Sequence, residues 1–324
     1  MNCKYLVVLM VTTYTTFAQQ VFKKKALLMG VDFEFSVVAN SEKKAEELFK
    51  IALSETMRVE NLISSWKSSS QTSEVNRMAG IRPVKVDAEL LDLIVRSKRI
   101  SQLTAGYFDI SFASLDKLWY FNEPMKVLPD SLAVAKSVAK INYRDILIDK
   151  KKSTVFLKKK GMRIGFGSIG KGYVAEKVKQ VLIKAKVSAG LVNAGGDLTT
   201  WGAHPFTQKW LIQLADPNKV LKNAATFKLM NSAVVTSGNY AKYIEFNGKR
   251  YSHIINPKTG WPVTGLKSVS VFCTNTELAD ALATAVFVMG KERGLALINQ
   301  LNGIECLLID DKNELHTSEN LKIN

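Results

Sequence analysis

Residues 165–172 read Gly-Phe-Gly-Ser-Ile-Gly-Lys-Gly, four glycines and a lysine in eight positions. A largely apolar run, Met162–Phe166, leads in, and an amphipathic run, Tyr173–Val187, leads out. Glycine lets the backbone come close to a ligand at little steric cost. A helix beginning right after such a loop presents unpaired N–H groups, and anions suit that place. Lys171 adds a mobile positive charge. The segment therefore reads as a site for phosphate or diphosphate, or as a tight strand-to-helix turn with no ligand. Residues 165–170 also spell G-x-G-x-x-G, but a lone match to the dinucleotide fingerprint is weak. That fold needs an acid about 20 residues on, at the end of the second strand. Here the next strand-like run, Ala189–Val192, ends in Asn193, and Asp197 falls too late.

Residues 1–18 read as a signal peptide: Lys4 in the n-region, a mostly apolar stretch from Tyr5 to Phe17, and cleavage after Ala18. The stretch is too short for a spanning helix. The mature chain is then 19–324, expected as one exported, periplasmic domain, with no Pro/Gly/Ser-rich linker and no repeat. Cys273 and Cys306 remain in apolar, strand-like runs, as buried thiols or a single bridge. The net charge of +16 comes mainly from short lysine clusters such as Lys23–Lys25 and Lys150–Lys152. These lack interleaved aromatics, so no nucleic-acid partner is expected. The charge favours an anionic substrate or peripheral contact with an anionic membrane.

Ser41 caps an expected helix running to about Ser64, Asp87 a second, and Asp130 a short third. Ser64–Ser73 reads as a loop. Residues 142–157 read as a hairpin, with a strand following directly before the glycine loop. The second half is strand-rich, with Asn247-Gly248 as a hairpin turn and Lys267–Cys273 as a strand. Thr276–Met289 and Lys291–Leu301 read as helices, and Glu305–Thr317 as a closing hairpin. The fold class is α+β, with largely antiparallel sheets and packed helices.

Asp280 and Thr284 lie one turn apart on a nearly all-apolar helix. A buried carboxylate needs a cation or several donors. Two hard oxygen ligands on one face suit Mg²⁺ together with substrate phosphates; an internal salt bridge or capping role is the alternative. His253 closes a strand before Asn256-Pro257. With only three histidines in the chain, a three-histidine zinc site is not expected.

Taken together, Gly170–Tyr173, Asn193–Asp197, Thr236–Tyr240, His253–Gly260 and Ala279–Ala285 occur in the order seen in the FAD:protein FMN transferases, the ApbE family. Phe108-Asp109-Ile110-Ser111 and Leu118-Trp119 resemble a further segment of that family. The resemblance runs from about Met29 to Gly290. It implies an ApbE-like fold and an enzyme that splits FAD with Mg²⁺. FMN is placed on a threonine of a partner flavoprotein and AMP is released. By motif position, Asp280, Thr284 and Ser168 would be metal ligands. Lys171, Met29, Trp66, Tyr107, Phe108, Asp109 and Ile254 would contact FAD, and His253 would accept a proton or donate to the diphosphate. Gly165 stands where relatives carry aspartate, so a carboxylate contact to FAD is missing. Trp66 stands where they commonly carry tyrosine. Two other readings share the pocket: a hydrolase giving FMN and AMP, and a non-catalytic exported flavin carrier.

Overall fold

The structure, a computed structural model, describes residues 19–121, 125, 127–215, 223–239, 243–246 and 249–322. The expected signal peptide and the Asn247-Gly248 turn lie outside the described residues. No described helix is long and apolar enough to cross a membrane.

The chain opens on a hairpin, β1 (Gln20–Leu28) and β2 (Val31–Ala39). Helix α1 (Glu42–Ile63) follows, and Ser41 Oγ accepts from Lys44 N at 3.3 Å. Next come α2 (Gln71–Arg77), β3 (Val84–Lys85), α3 (Ala88–Leu103), α4 (Ser131–Val138), β4 (Ile146–Asp149) and β5 (Thr154–Leu157). Helix α5 (Gly170–Lys184) leaves the glycine loop. A strand-rich stretch follows: β6 (Gly190–Ala194), β7 (Asp197–Trp201), β8 (Trp210–Ala215), β9 (Asn223–Leu229), β10 (Ala233–Gly238), β11 (Tyr243–Phe246), β12 (Lys249–Ser252) and β13 (Leu266–Cys273). The chain closes with α6 (Thr276–Met289), α7 (Lys291–Ile298), β14 (Glu305–Asp310) and β15 (Leu315–Thr317).

Eight strands form the main sheet in the order β1-β2-β6-β7-β10-β13-β14-β15. Every neighbouring pair in it is antiparallel. That removes the parallel β-α-β unit a dinucleotide fold requires. Side chains alternate across the sheet, as strand geometry demands. Phe33, Phe35 and Val37 of β2 face the core under α1 and α5, while Val38 faces the opposite layer with Trp210 and Phe227 of the β8–β9 hairpin. Val269 and Val271 of β13 pack beneath α6, and Phe272 packs behind. The helices thus cover one face and a hairpin the other.

Two expectations are corrected. Residues 64–73 are not wholly loop, because α2 starts at Gln71, capped by Ser70 Oγ accepting from Ser73 N at 3.0 Å. Residues 162–166 form no strand. Their backbone is held by side chains instead: Asn76 Oδ1 accepts from Ile164 N at 2.8 Å, and Asn76 Nδ2 donates to Ile164 O at 2.9 Å. Ser114 Oγ accepts from Arg163 N at 2.8 Å, and Gly165 N donates to Ile110 O at 2.9 Å. An apolar run buried among such partners needs no neighbouring strand.

Glu89 ties three helices together. Arg58 of α1 reaches it at 2.7 Å, Tyr173 Oη of α5 donates to it at 2.6 Å, and Lys177 stands at 3.0 Å. Burial pushes the Glu89 carboxyl up, but bonds from Arg58, Tyr173 and Lys177 outweigh it and hold it at about 2, against an ordinary 4.5. A folded-state value below the unfolded one stabilises the fold above pH 4.5 and loses that contribution as pH falls toward 2. The gap in urea midpoint between the protein and its Glu89→Gln variant should therefore narrow over that window. A gap constant from pH 7 to pH 3 would contradict the linkage.

Candidate active site

The main sheet gathers its turns at one end. Met29-Gly30 closes β1–β2, with φ of 51° and 75°, and Gly195-Gly196 closes β6–β7, with φ of 60° and 102°. The two turns touch: Gly195 N donates to Asp32 O at 2.9 Å. The end of β10, Thr236–Gly238, runs past the start of β7 at this same edge. Leu198 faces the hairpin layer, so its neighbour Asp197 faces the helices. Ser237, two residues from inward-facing Val235, does the same.

Onto this end come α5 and α6. Gly172, in the first turn of α5, meets α6 so closely that a Cβ there would lie 2.7 Å from Asp280 Cβ and still closer to the Thr276 carbonyl. Only glycine permits that approach. The Gly172 N–H donates to Asp280 Oδ2 at 2.9 Å. No side chain caps α5, so Asp280 supplies an acceptor for one of its open N–H groups. Lys171 Nζ lies 2.6 Å from Asp197 Oδ2. Both acids are buried, Asp197 at 0% exposure and Asp280 at 3%. Burial, then the neighbouring Asp280 charge, pushes the Asp197 carboxyl well above its ordinary range, against the pull of Lys171. Asp197 Oδ1 is buried with no hydrogen-bond donor among the described residues. Thr284 Oγ1 stands 3.3 Å from Ser237 Oγ, one turn along α6 from Asp280. Two carboxylates, one with an unused oxygen, and adjacent hydroxyls are the donors a hard divalent cation takes. The residues present therefore fit Mg²⁺, with Asp280, Asp197 and Thr284 as candidate holders. Ser168 sits half-buried in the turn just ahead of α5.

The other expected site residues lie on several separate elements. Met29 is in the β1–β2 turn and packs against the main core. Trp66 is 94% exposed on the loop after α1. That loop abuts the glycine turn: a Cβ on Gly165 would sit 3.6 Å from Ser65 Oγ and 3.1 Å from Ala113 Cβ. Tyr107 accepts from Arg293 at its hydroxyl, and Lys258 Nζ lies 4.5 Å from its ring centre. Ile254 packs beneath α6, and Val263 N donates to its carbonyl at 2.9 Å. His253 is exposed, its ring edge-on to Phe121 at 6.5 Å. Phe121 in turn stacks on Trp119, which meets Tyr251 and Trp261 and donates from Nε1 to Gly260 O at 2.9 Å. Phe108 and Asp109 are held differently. Phe108 is core, at 1% exposure. Asp109 Oδ1 accepts from Ser111 N and Oγ at 2.8 and 2.6 Å, and its Oδ2 from Tyr143 N at 2.8 Å. Both oxygens of Asp109 already serve to join two loops.

A family model described as the ApbE family matches residues 29–308. The chain belongs to the ApbE family. A FAD:protein FMN transferase from Treponema pallidum is 32% identical over 279 residues, 82% of this chain and 76% of the relative. One from Klebsiella pneumoniae is 29% identical over 300 residues, 91% of each. Among solved structures, the ApbE protein of Thermotoga maritima superposes with a TM-score of 0.84 at 28% identity, covering 93% of this chain and 97% of that one. The Pseudomonas stutzeri flavinyl transferase ApbE gives 0.83 at 25% identity, covering 94% and 97%. The α+β architecture expected from the element pattern and the ApbE-like fold implied by the resemblance are the ones observed.

Asp197 is the residue that sequence reasoning left out of the site. It ends an Asn-Ala-Gly-Gly-Asp turn, which reads as ordinary hairpin chemistry. The signal lay in a two-residue turn followed by an acid that strand alternation sends inward. Cys273 and Cys306 are both free and buried, and burial pushes the Cys306 thiol up to about 12.

Proposed function

We propose that the protein is a Mg²⁺-dependent flavin transferase. It cleaves FAD and joins FMN through a phosphoester bond to a threonine of an acceptor flavoprotein, releasing AMP. The observation that carries this reading is the buried Asp197–Asp280 pair at the N-terminus of α5, crossed by Lys171 and lined by an unused carboxylate oxygen. Relatives named FAD:protein FMN transferase give the substrate and product class. The threonine target, the metal dependence and export through residues 1–18 belong to the same proposal.

When bound, Mg²⁺ would supply Lewis-acid neutralisation of diphosphate charge. The chain supplies the rest. The threonine oxygen attacks the phosphorus on the FMN side, the bond to AMP breaks, and the departing phosphate oxygen carries the charge. Lys171 and the positive end of the α5 dipole favour that charge. His253, exposed beside Phe121, takes the hydroxyl proton. Trp66 and the Trp119 cluster offer aromatic faces for flat rings.

The test incubates purified protein with FAD, Mg²⁺ and a flavin-acceptor domain. Covalent flavin fluorescence on the acceptor in a denaturing gel, with AMP released in equal amount, is expected. Free FMN and AMP with no labelled acceptor would mean the hydrolase. Binding of FAD with no AMP would mean the carrier.

A further inference from the structure

A buried carboxylate next to another is costly unless a cation compensates it. In this protein the compensating cation is a side chain. Lys171 Nζ reaches Asp197 Oδ2 at 2.6 Å, with Asp197 fully buried and Lys171 about a third exposed, its side chain at 29%. The lysine stands on the first turn of α5, one residue before the N–H that binds Asp280. Its ammonium therefore occupies the charge environment that a divalent cation would need, and its flexible four-carbon stem is partly exposed. Among the described residues no donor reaches the second, buried oxygen of Asp197, so the lysine satisfies only one oxygen of the acid.

We propose that Lys171 is an exchangeable stand-in for the metal. In the metal-free protein it neutralises the Asp197–Asp280 pair. Mg²⁺ competes with it for Asp197, and the released ammonium turns to the nucleotide diphosphate. Metal loading and nucleotide binding are thereby coupled, each strengthening the other by the same factor. The inference rests on the proposed metal-dependent reading and adds an order: without nucleotide to receive the lysine, Mg²⁺ binds weakly.

Titration calorimetry of Mg²⁺ into metal-stripped protein, with and without FAD, tests it. In the wild type, FAD should raise Mg²⁺ affinity about tenfold or more, within the usual range of coupling between sites. In Lys171→Gln the competitor is gone. Affinity for Mg²⁺ without FAD should rise by a similar factor, and the effect of FAD on it should shrink toward none. Lys171→Arg keeps the charge and should keep the wild-type weak affinity. Melting temperature gives a second readout. Lys171→Gln should melt lower than wild type in chelator and gain more than wild type on adding Mg²⁺. A variant unfolded in chelator and refolded by Mg²⁺, followed by circular dichroism, is the same result. A plain structural salt bridge predicts lost stability with unchanged or weaker Mg²⁺ binding, and that outcome, or failure to fold under both conditions, overturns the proposal. Wild-type protein that binds FAD but no Mg²⁺ in any state overturns the metal-dependent reading itself. Wild type that binds Mg²⁺ equally well with and without FAD overturns only the exchange.

Discussion

Asp280→Asn is expected to lower flavin transfer by about three powers of ten or more while leaving the protein folded. Metal charge stabilisation in a transition state is worth several kcal/mol, and each 1.36 kcal/mol is about tenfold in rate. Asparagine keeps the shape of Asp280, and its carbonyl oxygen can still accept from Gly172 N, a bond of 2.9 Å. What it removes is a charge. Removing that charge also relieves repulsion on the neighbouring Asp197, whose carboxyl is pushed up first by burial and then by Asp280. Stability should therefore change little or rise slightly. Separating the two effects matters, because Asp280→Ala would also strip the acceptor from the first turn of α5 and confound fold with chemistry. The measurement is the initial rate of AMP release and acceptor labelling at saturating Mg²⁺, alongside a melting curve. Transfer within tenfold of wild type, from a protein melting normally, would remove Asp280 from the metal site.

The sequence carried most of the helical frame. Ser41 and Asp130 each accept from a backbone N–H in the first turn of the helix they precede, as their side chains dictate, whereas the Asp87 side chain makes no capping bond to α3 and accepts from Gln71 Nε2 at 2.6 Å instead. The bounds of α6, Thr276–Met289, are the ones its largely apolar run implies. Met29-Gly30 was illegible as a turn, because a non-glycine residue takes φ 51° there and Lys23–Lys25 interrupts the alternation of β1. Residues 162–166 are apolar enough for a strand, but Asn76 and Ser114, far off in sequence, supply their partners. The same limit hid Asp197. That it meets Lys171 follows from the crossing of β7 with α5, a tertiary fact no local pattern encodes. Asp280, by contrast, announced itself as the acid in the middle of a buried apolar helix, one turn before Thr284.

Gly172→Ala is expected to damage both fold and chemistry from a single methyl group. The added Cβ would sit 2.7 Å from Asp280 Cβ and collide with the Thr276 carbonyl, a backbone atom that no rotamer change can move. Helices α5 and α6 must separate, and overpacking of this kind costs typically about 1–3 kcal/mol. Alanine's better helix propensity returns at most about 1 kcal/mol, at a position whose φ is not left-handed. A net loss of a few degrees in melting temperature is the expected size, at roughly 2–4 °C per kcal/mol for domains of a couple of hundred residues. The chemical loss should be larger than that implies. Moving α6 away lengthens the 2.9 Å bond from Gly172 N to Asp280 and shifts Asp280 relative to Lys171 and Asp197. Geometry off by about 1 Å can cost on the order of a hundredfold in rate. Gly170→Ala is the control. Its Cβ would meet Ile63 Cδ1 at 3.2 Å, the movable end of a side chain, and should be tolerated. Equal activity of the two alanine variants would show that the close crossing does not set the position of the acid pair. A Gly172→Ala protein that melts normally yet has lost Mg²⁺ binding would show that it does.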